Sequence, residues 1–246
     1  MSGHSKWSTI KRKKGAADAK RGAAFTKLAN AITIAAKEGG GDPTTNFALR
    51  LAMDKARAGN MPTANIERAT KRGTGELGGE RPEQIAYEAY GPGGVALLID
   101  TLTDNRNRTV SDVRSLVTKR GGSLGESGSV GYLFTTKGYL TIRKPEDNEA
   151  LMLAAIEAGA SDVELTDETV EIETTKDTFQ AVKGAVQSAG YDVASAELAK
   201  VAETTVPVAD KKAADTVVSL VTELEELDDV LAVSTNAEIE PELVGG

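Results

Sequence analysis

The chain has 246 residues, formal net charge −8, one histidine, one tryptophan and no cysteine, with 40% of residues hydrophobic and 27% charged. That balance belongs to a globular protein and is too apolar for a disordered one. The lack of cysteine excludes disulfides, thiol nucleophiles and thiolate metal sites and fits a reducing cytoplasm, and no apolar run approaches the ~18 residues of a membrane span.

The charge is unevenly placed. Residues 1–80 hold 15 Lys/Arg and 7 Asp/Glu, net +8, whereas residues 81–246 hold 14 and 30, net −16. Within residues 1–27, eight cations (Lys6, Lys11, Arg12, Lys13, Lys14, Lys20, Arg21, Lys27) face Asp18 alone, and His4 and Trp7 lie in the same run. This basic head lacks the apolar core of a secretory signal and leads directly into a helical pattern, so it reads as part of the mature protein. Polyanions are its natural partners. The plainer alternative is that the cations only solubilise a small helical unit.

In chain order, FTKLANAITIAAKEGGG spaces Phe25, Leu28, Ala29, Ile32, Ala35 and Ala36 along one helix face, and Gly39, Gly40 and Gly41 stop it. NFALRLAMDKARAG predicts a second helix capped by Asn46. A third follows Asn60-Met61-Pro62, with Pro62 in its first turn and Gly73 just past its end. GTGELGGERP reads as a linker, after which YEAYGPGGVALLIDTLT is two β-like runs about a tight turn. NRNRTVSDVRSLVTKRGG predicts a helix with Val110, Val113 and Val117 inward, and SVGYLF a strand. Residues 137–199 then form a β-α-β-β-α-β series, in which Val163 and Leu165 alternate against Val170 and Ile172 in a hairpin. AETTVPV, DKKAADTVVSLVTELEEL and DVLAVS close the chain as strand, helix and strand.

The final β-α-β and the unit at 84–134 each leave an apolar sheet edge uncovered. Pairing them completes a second sandwich with residues 137–199 inserted. One continuous mixed sheet is the simpler alternative.

Catalytic motifs are weak. GGSLG matches G-x-S-x-G, but Ser123 follows a helix and glycines instead of standing between a strand and a helix, and the sole base would be His4. No phosphate-cradling glycine pattern is present, and one His without Cys falls short of the several N/S ligands a zinc site takes. In TDNRNRT, Arg106 and Arg108 stand where a strand hands over to a helix N-terminus, as a phosphate or carboxylate site requires. Capping of that helix by Asp104 or Asn107 explains the run equally well. Trp7, between Lys6 and Lys11, either stacks on an unpaired base or anchors the head on the helices.

GHSKWSTIKRKKGAADAKRGAAFTKLANAITIAAKEGGGDP, NFALRLAMDKARAGNMPTANIERATKRGTGE, YEAYGPGGVALLIDTLTDNRNRTVSDVR and GGSLGESGSVGYLF together resemble the YebC/PmpR family, in order and over nearly the whole chain. GHSKW, GGGDP, NMP, YGPGG, TDNRNRT and GSVGY carry the resemblance. It implies a cytoplasmic protein with a helical N-terminal domain and two α/β domains, one interrupted by the other. It also implies either a DNA-binding transcriptional regulator or, as among mitochondrial relatives, a translation factor that helps the ribosome through proline-rich stretches. By motif match, Lys6, Trp7, Lys11, Arg12, Lys13, Lys14, Lys20 and Arg21 carry over as nucleic-acid contacts. Arg12 stands where members of that family often carry a second His, which keeps the charge but removes a titrating imidazole.

The expected fold class is therefore α+β: a helical N-terminal domain over 1–80 and two ferredoxin-like β-α-β-β-α-β sandwich domains, 81–136 with 200–246, and 137–199 inserted. The expected function is non-enzymatic regulation of gene expression by nucleic-acid binding, on DNA as a transcriptional regulator or on ribosomal RNA as a translation factor. A protein-only adaptor, and an enzyme using Arg106, Arg108 and a carboxylate, are the competing classes. Lys6, Trp7, Lys11, Arg12, Lys13, Lys14, Lys20, Arg21 and Lys27 are the expected contacts, and Asn105, Arg106, Asn107 and Arg108 a second phosphate or partner site. No catalytic residue, metal, cofactor, membrane or small-molecule substrate is expected; the ribosome or basic proteins would meet the acidic body.

Overall fold

The computed structural model describes residues 21–78, 82–145 and 147–243. Among these described residues three helices come first: α1 (Arg21–Gly39), α2 (Phe47–Ala58) and α3 (Thr63–Thr74). They enclose a core of Ile32, Ala35, Ala36, Leu49, Met53, Ala56, Met61, Ile66 and Ala69, with Phe25, Leu28 and Ala29 packed against it. The spacing of these residues in the sequence is what selects the buried face.

Asn46 starts α2 as its N-cap, its Oδ1 accepting the Leu49 N–H at 3.0 Å, while its Nδ2 donates to Ala35 O at 2.7 Å and Gly40 O at 2.8 Å. One buried amide thus closes the end of α1 onto the beginning of α2. The third helix departs from expectation at both ends. Pro62 is its N-cap and precedes the first turn, and the helix continues through Gly73 to Thr74, ended by Gly75 in the left-handed region at φ 85. Gly73 answers to packing: a Cβ there would lie 2.4 Å from Thr33 O and 2.7 Å from the Ala36 Cβ. It lets α1 and α3 cross closely.

The sheet-forming elements, in order, are β1 (Glu83–Tyr90), β2 (Ala96–Thr103), α4 (Arg106–Lys119), β3 (Ser123–Leu124), β4 (Phe134–Arg143), α5 (Asn148–Glu157), β5 (Ala160–Leu165), β6 (Thr169–Thr175), α6 (Phe179–Ser188), β7 (Val193–Ala202), β8 (Val206–Pro207), α7 (Lys211–Glu225), β9 (Val230–Thr235) and β10 (Ala237–Glu238). The chain divides into two compact units, one running to Tyr132 and resuming at Thr204, the other Leu133–Glu203. Two separate four-stranded sheets replace the continuous sheet that pattern alone allowed.

In the first unit the sheet order is β3-β1-β2-β9, antiparallel throughout. The β1–β2 connection is the glycine turn, with Gly93 at φ 75 and Gly94 at φ 77, backbone that residues with a Cβ adopt only at a cost. Ala89, Leu97 and Ile99 from the sheet pack with Val113 and Val117 of α4 and Leu220, Val221 and Leu224 of α7. The expected strand AETTVPV shrinks to Val206–Pro207, which pairs in parallel with β10 outside the main sheet. Val206 and Val208 donate their N–H groups to Asn236 O and Glu238 O, so Pro207, which has none to give, falls where no donor is needed. SVGYLF is likewise not a strand: Gly131–Leu133 is a 3-10 turn, and β4 begins at Phe134.

In the second unit the order is β5-β6-β4-β7, antiparallel, the arrangement of a β-α-β-β-α-β sandwich. Val163 pairs with Ile172 and Leu165 with Val170, the register that their alternation predicts. Leu140, Ile142, Val170 and Ile172 meet Leu151, Ala155, Phe179, Val182 and Val186 of the two helices.

Candidate nucleic-acid interface

Of the expected contacts, Lys6, Trp7, Lys11, Arg12, Lys13, Lys14 and Lys20 lie outside the described residues. Arg21 opens α1, and Lys27 stands half-buried further along the same helix. The rest of the helical segment continues the positive balance, since residues 25–78 carry eight Lys/Arg and five Asp/Glu.

Several of those cations are already engaged. Arg57 pairs with Asp54 at 2.9 Å, Arg72 reaches Asp104 at 3.4 Å, and Lys37 Nζ donates to Pro82 O at 2.8 Å. Arg50 lies over the Phe47 ring, 5.2 Å from its centroid. Lys55, Arg68 and Lys71 are exposed and have no ion pair among the described residues. Exposed, uncommitted cations are the ones able to exchange counterions for phosphates.

The TDNRNRT run is built differently from its sequence reading. Asn105, and neither Asp104 nor Asn107, caps α4, its Oδ1 accepting the Arg108 N–H at 3.0 Å, and its own N–H is held by Thr103 Oγ1 at 2.9 Å. Arg108 Nη2 donates to Asp229 at 2.8 and 3.0 Å and to Asp104 at 3.1 Å. Hydrogen bonding and attraction from Asp229 push its guanidinium pKa further up. Arg106 and Asn107 are exposed, and Arg106 has no ion pair among the described residues, although its carbonyl accepts the Tyr87 hydroxyl at 3.4 Å. Burial pushes the Tyr87 phenol pKa up, and the nearby Arg106 cation opposes that rise. The four residues are therefore adjacent in space but unequal: Arg106 faces outward while Arg108 is neutralised.

Beside Arg108 runs a cleft of about 590 Å³, also lined by Asn30, Arg72, Asp112, Glu226, Asp228 and Asp229. Asn30 Nδ2 donates to Asp228 O across it at 3.2 Å. Four carboxylates against two guanidiniums make this face unfavourable for a phosphate chain, which would meet like charge.

Sequence reasoning missed Glu88. This carboxylate, 8% exposed, accepts the N–H groups of Gly128, Val130 and Gly131 at 2.7, 2.5 and 2.7 Å. Burial works to raise its pKa, but those backbone donors together with Ser129 outweigh burial and hold the carboxyl below its ordinary value. The one available signal is an acid set between Tyr87 and Ala89 in the strand EQIAYEAY, ahead of the glycine-rich GESGSVG loop. Within GGSLG, Gly122 serves packing, since a Cβ there would lie 2.3 Å from Tyr90 O, and Ser123 pairs with Tyr90 as an edge strand. Among the described residues no helix is long and apolar enough to cross a membrane, and no group of three or more His, Cys, Asp or Glu side chains is arranged to hold a metal.

Comparison with known proteins agrees with this architecture. A conserved hypothetical protein from Aquifex aeolicus, solved by crystallography, superposes with a TM-score of 0.81 at 44% identity, over 93% of this chain and 95% of that one. A probable transcriptional regulatory protein of Geobacter sulfurreducens is 52% identical over 242 residues, 98% of each chain. One of Dictyoglomus turgidum is 47% identical over 246 residues, 99% of this chain and 98% of its own. Residues 5–76 match the TACO1/YebC protein N-terminal domain and residues 82–237 the TACO1/YebC second and third domain. The α+β chain, with its helical segment ahead of two sheets, belongs to the TACO1/YebC family.

Proposed function

We propose that the chain is a non-enzymatic, cytoplasmic regulator of gene expression that binds nucleic acid through its basic N-terminal head. The observation that carries this is the concentration of eight cations against one acid in residues 1–27 of a protein whose net charge is −8. Relatives close to half identical over their full length are named probable transcriptional regulatory proteins, which favours DNA as the target. The head supplies affinity for phosphates without sequence, and any selectivity comes from unpaired bases or from partner proteins. Arg106 adds a second anion contact at the edge of α4, with Asn105 and Asn107 beside it. The division of labour follows three domains, 1–80, 81–136 with 200–246, and 137–199.

A second reading, a ribosome-associated translation factor, is favoured by the acidic body: residues 81–246 carry net −16 and suit basic proteins of the kind that cover ribosomal RNA. Crosslinking in cells followed by sequencing of both recovered DNA and recovered RNA separates the two. Discrete promoter DNA supports transcriptional regulation, and enriched ribosomal RNA supports the translation factor. Partners that survive nuclease treatment, with neither nucleic acid enriched, would leave a protein-only adaptor and overturn the proposal.

A further inference from the structure

On the α1–α3 side of the helical segment lies a groove of about 310 Å³. Phe25, Ala29 and Met61 form its apolar floor, Leu77 its outer wall, and Asn65 and Arg68 its rim. Met61 is buried, Phe25 and Ala29 are half-buried, and Leu77 is 51% exposed, a large aliphatic side chain left in water just past the end of α3. The Asn65 side chain makes no hydrogen bond, and Arg68 no ion pair, among the described residues.

The two hollows of this unit differ in charge. The cleft beside Arg108 is lined by four carboxylates, whereas the groove on α1 and α3 is lined by Arg68 and by Arg72, which Asp104 already engages, and by no carboxylate. Lys71, one helical turn beyond Arg68, is exposed and adds a third cation to the same helix. An apolar floor with a positive rim fits a flat, uncharged ring attached to a negative backbone. A free amide at the rim can exchange donor and acceptor bonds with the edge of that ring. The groove's volume of about 310 Å³ matches a single ring with its sugar.

We propose that this groove receives one unpaired nucleobase, its ring against Phe25 and Met61, its polar edge toward Asn65 and the adjoining phosphate on Arg68. The inference rests on the reading that the basic head binds nucleic acid, because Arg21, the seventh of the head's cations in chain order, stands one helical turn before Phe25. It makes the protein selective for strands with unstacked bases, whichever nucleic acid supplies them.

The test is titration of the full chain, and of variants Asn65→Ala, Leu77→Ala and the pair combined, with two short single-stranded oligonucleotides of equal length. One carries all its bases and the other is abasic throughout. The wild-type chain should bind the base-bearing strand about tenfold more tightly, the usual worth of one stacked base. The combined variant should lose most of that ratio while its affinity for the abasic strand and its salt dependence stay unchanged. Asn65 and Leu77 are exposed, so neither change removes core packing. Equal binding of the two strands by the wild-type chain, with steep salt dependence, overturns the groove but leaves the head reading intact. A preserved ratio in the combined variant also overturns it, assigning base stacking to another group such as Trp7. Failure to bind either strand overturns the head reading and the groove together.

Discussion

Arg108 and Asp229, 121 positions apart in the chain, are joined by one guanidinium nitrogen that reaches both carboxylate oxygens, at 3.0 and 2.8 Å. The pair ties the first turn of α4 to the turn before β9, two stretches separated in sequence by the whole inserted unit. Asp229 does more than meet the charge: its Oδ2 also accepts the Thr109 hydroxyl at 2.6 Å and the Thr103 hydroxyl at 3.3 Å.

That inequality predicts unequal mutants. Asp229→Ala removes the main partner of Arg108 together with an acceptor shared by the Thr103 and Thr109 hydroxyls, and should cost about 1–3 kcal/mol in urea unfolding. Arg108→Ala removes a half-exposed partner and should cost less than about 1 kcal/mol. Arg106→Ala should leave the urea midpoint unchanged and weaken binding of an anionic polymer. Equal stability losses at Arg108 and Asp229 would contradict this hierarchy.

Glu88 predicts a pH dependence. Its folded pKa lies below the ordinary 4.5, so the folded state binds this proton less readily than the unfolded chain. The stability it contributes is fully present above about pH 4.5 and is lost as pH falls through the depressed folded value. Glu88→Gln should flatten that part of the acid limb of stability. It should also cost about 1–3 kcal/mol at neutral pH, since an amide offers fewer acceptor sites to three N–H groups. An acid limb identical in wild type and variant would count against the assignment.

Asn46 makes three side-chain hydrogen bonds within the helical segment. Asn46→Ala removes the N-cap of α2 and strands the carbonyls of Ala35 and Gly40, for an expected loss of about 2–3 kcal/mol. Asn46→Asp keeps the cap acceptor but sets a carboxylate against those two carbonyls. It should therefore recover little of the loss, and a full recovery in thermal melting would mean that capping alone matters.

Gly73 sets helix propensity against packing. In an open helix, Gly→Ala gains about 1 kcal/mol. Here the new Cβ would meet the Thr33 carbonyl oxygen at 2.4 Å, a backbone atom that cannot swing away. Gly73→Ala should therefore destabilise by about 1–3 kcal/mol net, as overpacking does. A raised melting temperature would show that α1 and α3 separate easily.

The elements that depend on local pattern can be read directly from the amino-acid order. The apolar face from Phe25 to Ala36, the Asn46 cap and the Val163–Ile172 register follow from spacing and residue type within a few positions. What escapes such reading is set by distant contacts. Gly73 resembles a helix stop until α1 is seen against it, and Glu88 has no visible purpose until the loop forty residues later folds over it. The same holds for the candidate site: the cations of the head can be counted in the sequence, but the groove joins Phe25 to Leu77 through helix packing that no local pattern reports. Arg108 shows the reverse error, because a cation counted as available is held by a carboxylate that only the closed sheet brings near.

If residues 1–27 make the phosphate contacts, the salt dependence of binding must originate in them. The full chain should bind a nucleic-acid duplex with a log–log salt slope of about −5 if ~6 phosphates are neutralised. Replacing Lys6, Lys11, Arg12, Lys13 and Lys14 together by Gln should remove most of that slope while leaving the thermal unfolding of the chain unchanged. An unaltered slope and affinity in that variant would refute the role of the head and move the interface elsewhere on the protein.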